Sequence, residues 1–317
     1  KKLGYDRENT IILPLDGQTQ SVFETLKTEL TSKGLAKHVA RGSESPVNIG
    51  GGYSIRVGWG DSRGVVTTGL LVDEEYLDAV GVEFLQGRNF TRADRERVTN
   101  DTVYTFILNE AALAALFIEP GEALGTPVSM GSRKGKIIGV IRDFHFASLH
   151  RNITPLVIFP EERQFSKIFI RLPQGNVNHT LAGVQEVYSR LVTHRPFEYE
   201  FLDQEYQSLY INEQRLSSVF VVFAGLAIII ACIGLLGLVA FAAAQKMKEI
   251  GIRKVHGATA TNIVLLIGGE FSGLVIAGII LGLPMAYWMM SKWLEDFAYK
   301  TDIGATPLIL ASIACVV

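Results

Sequence analysis

The run VFVVFAGLAIIIACIGLLGLVAFAAA, Val219–Ala244, sets the frame for every other part of the chain. It sits within Leu216–Gln245, a stretch without a charged residue, and it exceeds the roughly 20 apolar residues that a helix needs to cross a bilayer. A transmembrane helix is therefore predicted over about 216–245. A second uncharged run, FSGLVIAGIILGLPMAYWMMS at Phe271–Ser291, is also long enough to cross, with Trp288 and Trp293 near its end, where amphipathic rings favour the membrane interface. It predicts a helix over about 263–291. A third apolar run, PLILASIACVV, occupies 307–317 and is expected to be the truncated start of a further helix.

Ahead of these runs the chain is polar, with dense charges of both signs, so an extracytoplasmic domain over 1–212 and a membrane domain over 213–317 are predicted. Orientation follows from the excess of Lys and Arg in cytoplasmic loops. The connection 246–262 carries Lys246, Lys248, Arg253 and Lys254 against Glu249, whereas the next sets Lys292 and Lys300 against Glu295, Asp296 and Asp302. The first connection is expected in the cytoplasm, which places 1–212 outside, in the periplasm of a two-membrane cell. The opening KKLGYDRENT lacks the apolar core of a signal peptide, so both ends are expected to be cut from a longer chain.

A formal net charge of -2 leaves no broad basic surface for a phosphate backbone, which argues against nucleic acid. Both cysteines, Cys232 and Cys315, fall in apolar runs; the polar domain has no disulfide and must rely on its own core. Its pattern alternates strand-like and helical stretches, which predicts an α+β domain with a mixed sheet. Strands are expected at Thr10–Leu15, Val65–Val72, Thr105–Leu108, Lys136–Ile141, Lys167–Leu172 and Phe197–Leu202. Helices are expected at Thr19–Ser32, with Val22, Phe23, Leu26 and Leu30 on one side, at Glu74–Val80, Glu110–Phe117 and Leu181–Leu191.

Chemistry-bearing patterns are few. Gly50–Gly52 and Gly58–Gly64 read as turns, and GSRKGK at 131–136 lacks the Ser or Thr that a phosphate-binding loop places after its lysine. Without that motif the chain is not expected to hydrolyse ATP, and no cofactor is expected. Asp143, His145 and His150 would need further convergent ligands to make a metal or catalytic site, and packing or turn roles suit them better. The Asn-x-Thr triplets at Asn89, Asn100, Asn152 and Asn178 fit a glycosylation pattern, which has meaning only for a chain that passes through a glycosylating secretory route. Gly269 with Gly273, and Gly278 with Gly282, form two small-xxx-small pairs that let another helix approach closely. Glu270 directly precedes an uncharged run already long enough to cross, so it is placed at the cytoplasmic interface rather than in a substrate path.

In the first connection the sequence KEIGIRKVHGA, Lys248–Ala258, resembles the signature of FtsX-like permeases, the family that includes MacB and the lipoprotein-releasing LolC and LolE. Upstream, LGYDRENTIILPL (3–15), VGVEFLQGRNF (80–90), ILNEAA (107–112) and VIRDFHFASLH (140–150) are similar to the MacB-like periplasmic core domain that accompanies them. FLDQEYQSLYINEQR (201–215) and WLEDFAYKTDIG (293–304) are similar to a Bacteroidetes-type form. The resemblance implies one membrane helix, a large periplasmic domain and three more helices, a unit that occurs twice in larger members. It also implies that Lys248, Glu249, Ile250, Gly251, Arg253, Lys254, Gly257 and Ala258 form the element that docks on a separate ABC ATPase. By composition alone the same segment reads as a surface helix, with Met247, Ile250 and Val255 as apolar contacts and Glu249–Arg253 as an i,i+4 pair.

The function implied is that of a permease subunit which converts ATP hydrolysis in its partner into a periplasmic conformational change, for efflux or for lipoprotein or peptide export. A homo- or heterodimer of permeases and a periplasmic or outer-membrane partner are further expectations. Two alternatives stand beside it: a non-transporting regulator of a cell-wall hydrolase, and a membrane-tethered receptor without an ATPase.

Overall fold

The structure, a computed structural model, describes residues 4–6, 8–59, 64–146, 153–208, 211–295 and 304, which divide into two compact units, Lys1–Tyr210 and Ile211–Val317. In chain order the first unit opens with β1 (Thr10–Pro14), α1 (Gly17–Ser32), β2 (His38–Gly42), β3 (Gly52–Val57), β4 (Val65–Leu71) and α2 (Tyr76–Val80). It continues through β5 (Phe84–Gly87), α3 (Arg92–Asp101), β6 (Val103–Asn109), α4 (Glu110–Ala115), β7 (Pro127–Met130) and β8 (Arg133–Ile141). It closes with β9 (Leu156–Phe159), β10 (Lys167–Arg171), α5 (Val177–Leu191), β11 (Glu200–Phe201) and α6 (Leu202–Ser208).

Two sheets organise these elements. The first is four-stranded, in the order β11-β1-β10-β2, and antiparallel at each pairing. Read along the chain it is β1-α1-β2 and then β10-α5-β11, the split βαβ arrangement. Asp16 starts α1 by accepting the Thr19 N–H at 2.8 Å, and Thr19, Phe23, Leu26 and Leu30 recur at helical spacing and are buried. They pack with Val184, Val187 and Tyr188 of α5 against Ile11, Leu13, Ile168 and Ile170 of the sheet. The opposite face of that sheet is covered too, which is why Thr10–Leu13 are all buried.

Everything from β3 to β9 is inserted between β2 and β10. Its strands follow the order β5-β8-β6-β9-β4-β3-β7, with an extra β8–β7 pairing. Because β7 pairs with both β3 and β8, the strands β3-β4-β9-β6-β8-β7 close on themselves as a barrel. Ile138 is bulged between the β6 partners Phe106 and Ile107, and such a bulge bends its strand. β8 thereby pairs with β7 through Arg133–Lys136 and with β5 through Gly139–Ile141. Ile55, Phe106, Leu108, Val128, Val157 and Phe159 form the barrel's own core. The alternate residues Leu70, Ile107, Leu156 and Ile158 join Tyr76 and Val80 of α2 and Ile12, Ala40 and Phe169 of the first sheet in one shared core.

A buried ion pair crosses this junction. Arg41 on β2, 3% exposed, lies 4.2 Å over the Phe23 ring, and its backbone N–H donates to Asp73 Oδ2 at 2.7 Å. Burial pushes the Asp73 carboxyl up to about 7, against the opposing pull of the Arg41 guanidinium.

Most predicted elements form, with differences that have local causes. The α5 helix starts at Val177 rather than Leu181 because Asn176 caps it through the His179 N–H at 3.2 Å. The strand expected over Phe197–Leu202 is reduced to Glu200–Phe201, since Leu202 turns inward to begin α6 and is fully buried. The helix expected over Glu110–Phe117 ends at Ala115. At that end the Phe117 N–H donates to Ala114 O and the Ile118 N–H to Leu113 O, the paired bonds of a Schellman motif. α1 and α2 end in the same way, with Gly34 and Gly81 as the left-handed residue. At the end of α4 that position is held by Phe117, at φ 56°.

The second unit comprises α7 (Ile211–Gln245), α8 (Met247–Val255) and α9 (Ala260–Glu295). Ser218–Gln245 and Val275–Lys292 are long and apolar enough to cross a membrane. Their large side chains, Phe220, Phe223, Ile230, Leu236 and Ile280 among them, are exposed, unlike those of a core helix in a water-soluble domain. The third helix expected over 307–317 lies outside the described residues.

Candidate functional site

The connection between the two apolar helices is itself helical. Lys246, at φ −94° and ψ 12°, interrupts the path after α7; its N–H still donates to Ala242 O, and its carbonyl accepts the Ile250 N–H. α8 then carries Glu249 in its first turn and Arg253 and Lys254 in its last, the charge placement that suits a helix dipole. Glu249 Oε1 and Arg253 Nη2 are 2.7 Å apart on an exposed surface, a pair that contributes a few tenths of a kcal/mol, about 0.2–0.5, to the helix.

Gly257 and Ala258 have a different task from their neighbours. The Gly257 N–H donates to Lys254 O at 3.2 Å and the Ala258 N–H to Arg253 O at 3.0 Å, so the two residues close α8 with a Schellman motif. Gly257 takes φ 87° there, a conformation that costs an L-residue about 1–2 kcal/mol. Thr259 Oγ1 next accepts the Asn262 N–H at 3.4 Å at the start of α9. The segment is therefore a nine-residue helix held at both ends.

Of the residues expected to dock a partner, Lys248, Glu249, Gly251, Arg253 and Lys254 are exposed, and Ile250 is half-buried. Ile250 is thus less open than Met247 and Val255, which are exposed together with Ile252. Met247, Gly251 and Val255 follow i,i+4 spacing, and Ile252 lies three residues before Val255, so these four line one side. Val255 is 87% exposed. Ile252 was not among the expected contacts; its signal in the sequence is an isoleucine between Gly251 and Arg253 with no apolar neighbour at i+4.

Gly269, Gly273, Gly278 and Gly282 are exposed on α9, and a Cβ added to any of them would meet nothing within 4 Å. No described part of this chain packs on them. In the first unit, Asp143 Oδ1 accepts the Ala111 N–H at 3.1 Å, and the Asp143 N–H donates to Glu110 Oε2 at 2.9 Å. Asp143 thus ties β8 to the start of α4, with its carboxyl raised by burial. His145 is buried and His150 lies outside the described residues. Among the described residues no three His, Cys, Asp or Glu side chains gather as a metal site.

The family profile of MacB-like periplasmic core domains matches residues 10–186, and that of the FtsX-like permease C-terminal region matches residues 221–317. The chain belongs to the MacB-type family of FtsX-like permeases. Its relatives include the macrolide export ATP-binding/permease protein MacB of Psychrobacter cryohalolentis, 24% identical over 254 residues, covering 76% of this chain and 37% of that protein. The protein of the same name from Aggregatibacter actinomycetemcomitans is 25% identical over 230 residues, covering 66% and 34%. This MacB-type chain thus spans little more than a third of the curated relatives it matches. The periplasmic region of MacB from Actinobacillus actinomycetemcomitans is similar at 17% identity and a TM-score of 0.46, covering 65% of this chain and 94% of that one. Membership places the chain among inner-membrane permeases. FtsX-like permease domains are not themselves enzymes.

Proposed function

We propose that this MacB-type permease receives the conformational change of a separate ABC ATPase through α8 and passes it to an extracytoplasmic unit that performs efflux or lipoprotein or peptide export. One observation carries the reading: between two helices long and apolar enough to cross a membrane lies a short basic helix, fixed at its end by Gly257 and Ala258, that leaves Met247, Gly251, Ile252 and Val255 uncovered beside Lys248. An exposed side that sets Lys248 among apolar residues is what a soluble partner can grip. Lys254 supplies charge at its margin, and the Glu249–Arg253 pair stands exposed on the other side of the helix, open to the same partner.

In this reading residues 1–212 lie outside the cytoplasm and 213–317 form the membrane domain. The uncovered glycines Gly269, Gly273, Gly278 and Gly282 accept a helix of a second permease, homologous or identical. The relatives' names join ATP-binding and permease functions and refer to macrolide export; that cargo is one of the options for this chain.

The test is purification of the protein from native membranes, with ATPase activity followed for wild type and for Ile252→Asp, Val255→Asp and Glu249→Lys. A P-loop ATPase should co-purify, and a carboxylate among those apolar residues should weaken its retention about tenfold or more. Absence of any ATPase under gentle extraction would remove α8 as a docking element and leave the tethered receptor.

A further inference from the structure

A cleft of about 430 Å³ opens between α4 and β5 of the first unit. Its walls are apolar, built by Leu85, Leu113, Ile118 and Val140, and its volume falls in the range of small-molecule sites, about 300–1,000 Å³. The charged side chains that line it are both acidic, Glu110 and Glu119. Glu110 spends Oε2 on the Asp143 N–H and retains its other oxygen. Arg142, the nearest basic residue in sequence to the β8 wall, pairs with Glu83 at 3.2 Å.

Phe117 stands at the rim. It holds the left-handed position of a Schellman motif, where α1, α2 and α8 each place glycine, and its side chain is 95% exposed. Packing therefore does not repay the backbone conformation. An exposed aromatic ring that lines an apolar cleft together with two glutamates suits an organic cation: ring quadrupole and carboxylates attract its charge, and the cleft takes its body. Neither an anionic nor a purely apolar ligand would use all three features.

We propose that the cleft between α4 and β5 binds an amphiphilic organic cation, an apolar body bearing one ammonium group. The site stands apart from the ATPase-docking assignment, so failure of that assignment leaves it intact.

The experiment uses the full protein in phosphatidylcholine nanodiscs and two water-soluble probes followed by 19F NMR: 4-(trifluoromethyl)benzyltrimethylammonium and the neutral 4-(trifluoromethyl)benzyl alcohol. The cation should bind saturably, about tenfold tighter than the alcohol, and Phe117→Gly and Glu119→Gln should each weaken it several-fold, toward about tenfold together. Phe117→Gly relieves backbone strain and Glu119 is exposed, so both variants fold. Equal binding of the two probes, or unchanged cation affinity in both variants, overturns the proposal. So does failure of the cation to bind while a photoreactive side chain at position 117 captures a protein, which would make the surface a docking face.

Discussion

Asp73 accepts two backbone N–H groups, from Arg41 at 2.7 Å and from Glu75 at 3.2 Å, yet its burial raises the carboxyl to about 7. In the unfolded chain the same group releases its proton near pH 4. Between these values the folded state binds the proton and the unfolded state does not, so the contribution of Asp73 to stability falls as pH rises from about 4 to about 7. Urea midpoints at pH 5 and pH 8 should show it: wild type should lose more stability across the interval than Asp73→Asn, which has no proton to release. Identical losses would show that Arg41 keeps Asp73 ionised throughout. This pairing was not legible in the sequence. HVARG at 38–42 offers an arginine in a short run of mixed character, and only the closure of β2 against α2 and the Phe23 ring makes that residue internal.

At the scale of elements, helix ends separate what the sequence states from what it hides. α1 was legible because Phe23, Leu26 and Leu30 mark a stripe, and β1 because TIILPL is a continuous apolar run. α3, RADRERVTND, has almost no apolar stripe; it forms because Thr91 and Asp94 cap each other's backbone N–H groups, a signal that a hydrophobic pattern misses. β9, LVIF between two prolines, is too short for periodicity to assign. On α8 the charges were legible, but the free side was not, because the half-burial of Ile250 decides it. Phe117 is the sharpest case: in ALAALF it reads as a core aromatic, and its exposure follows from the left-handed turn. Replacing it with glycine removes about 1–2 kcal/mol of backbone strain and adds about 0.5–1 kcal/mol of unfolded-state entropy to be lost on folding. Phe117→Gly should therefore raise stability by up to about 1 kcal/mol, visible as a higher urea midpoint; a lower midpoint would mean that the exposed ring makes a stabilising contact.

For the whole molecule, the division into a strand-rich unit and an apolar helical unit follows from composition, while the closed barrel does not, since closure depends on β7 pairing with two strands far apart in sequence. Orientation is open to direct measurement. In a background with Cys232 and Cys315 replaced by serine, a membrane-impermeant maleimide applied to cells with a permeabilised outer membrane should label Trp59→Cys and spare Val255→Cys until the inner membrane is broken. The reverse pattern would invert the topology and sink the ATPase-docking role of α8. Gly42 and Lys167, the last residue before the barrel segment and the first after it, are cross-strand partners. The chain leaves the split βαβ frame and returns to it at a single point, as through a doorway. Evolution can exchange or elaborate what lies beyond the doorway without rewiring the four strands behind it, so the barrel and the frame are free to diversify at different speeds.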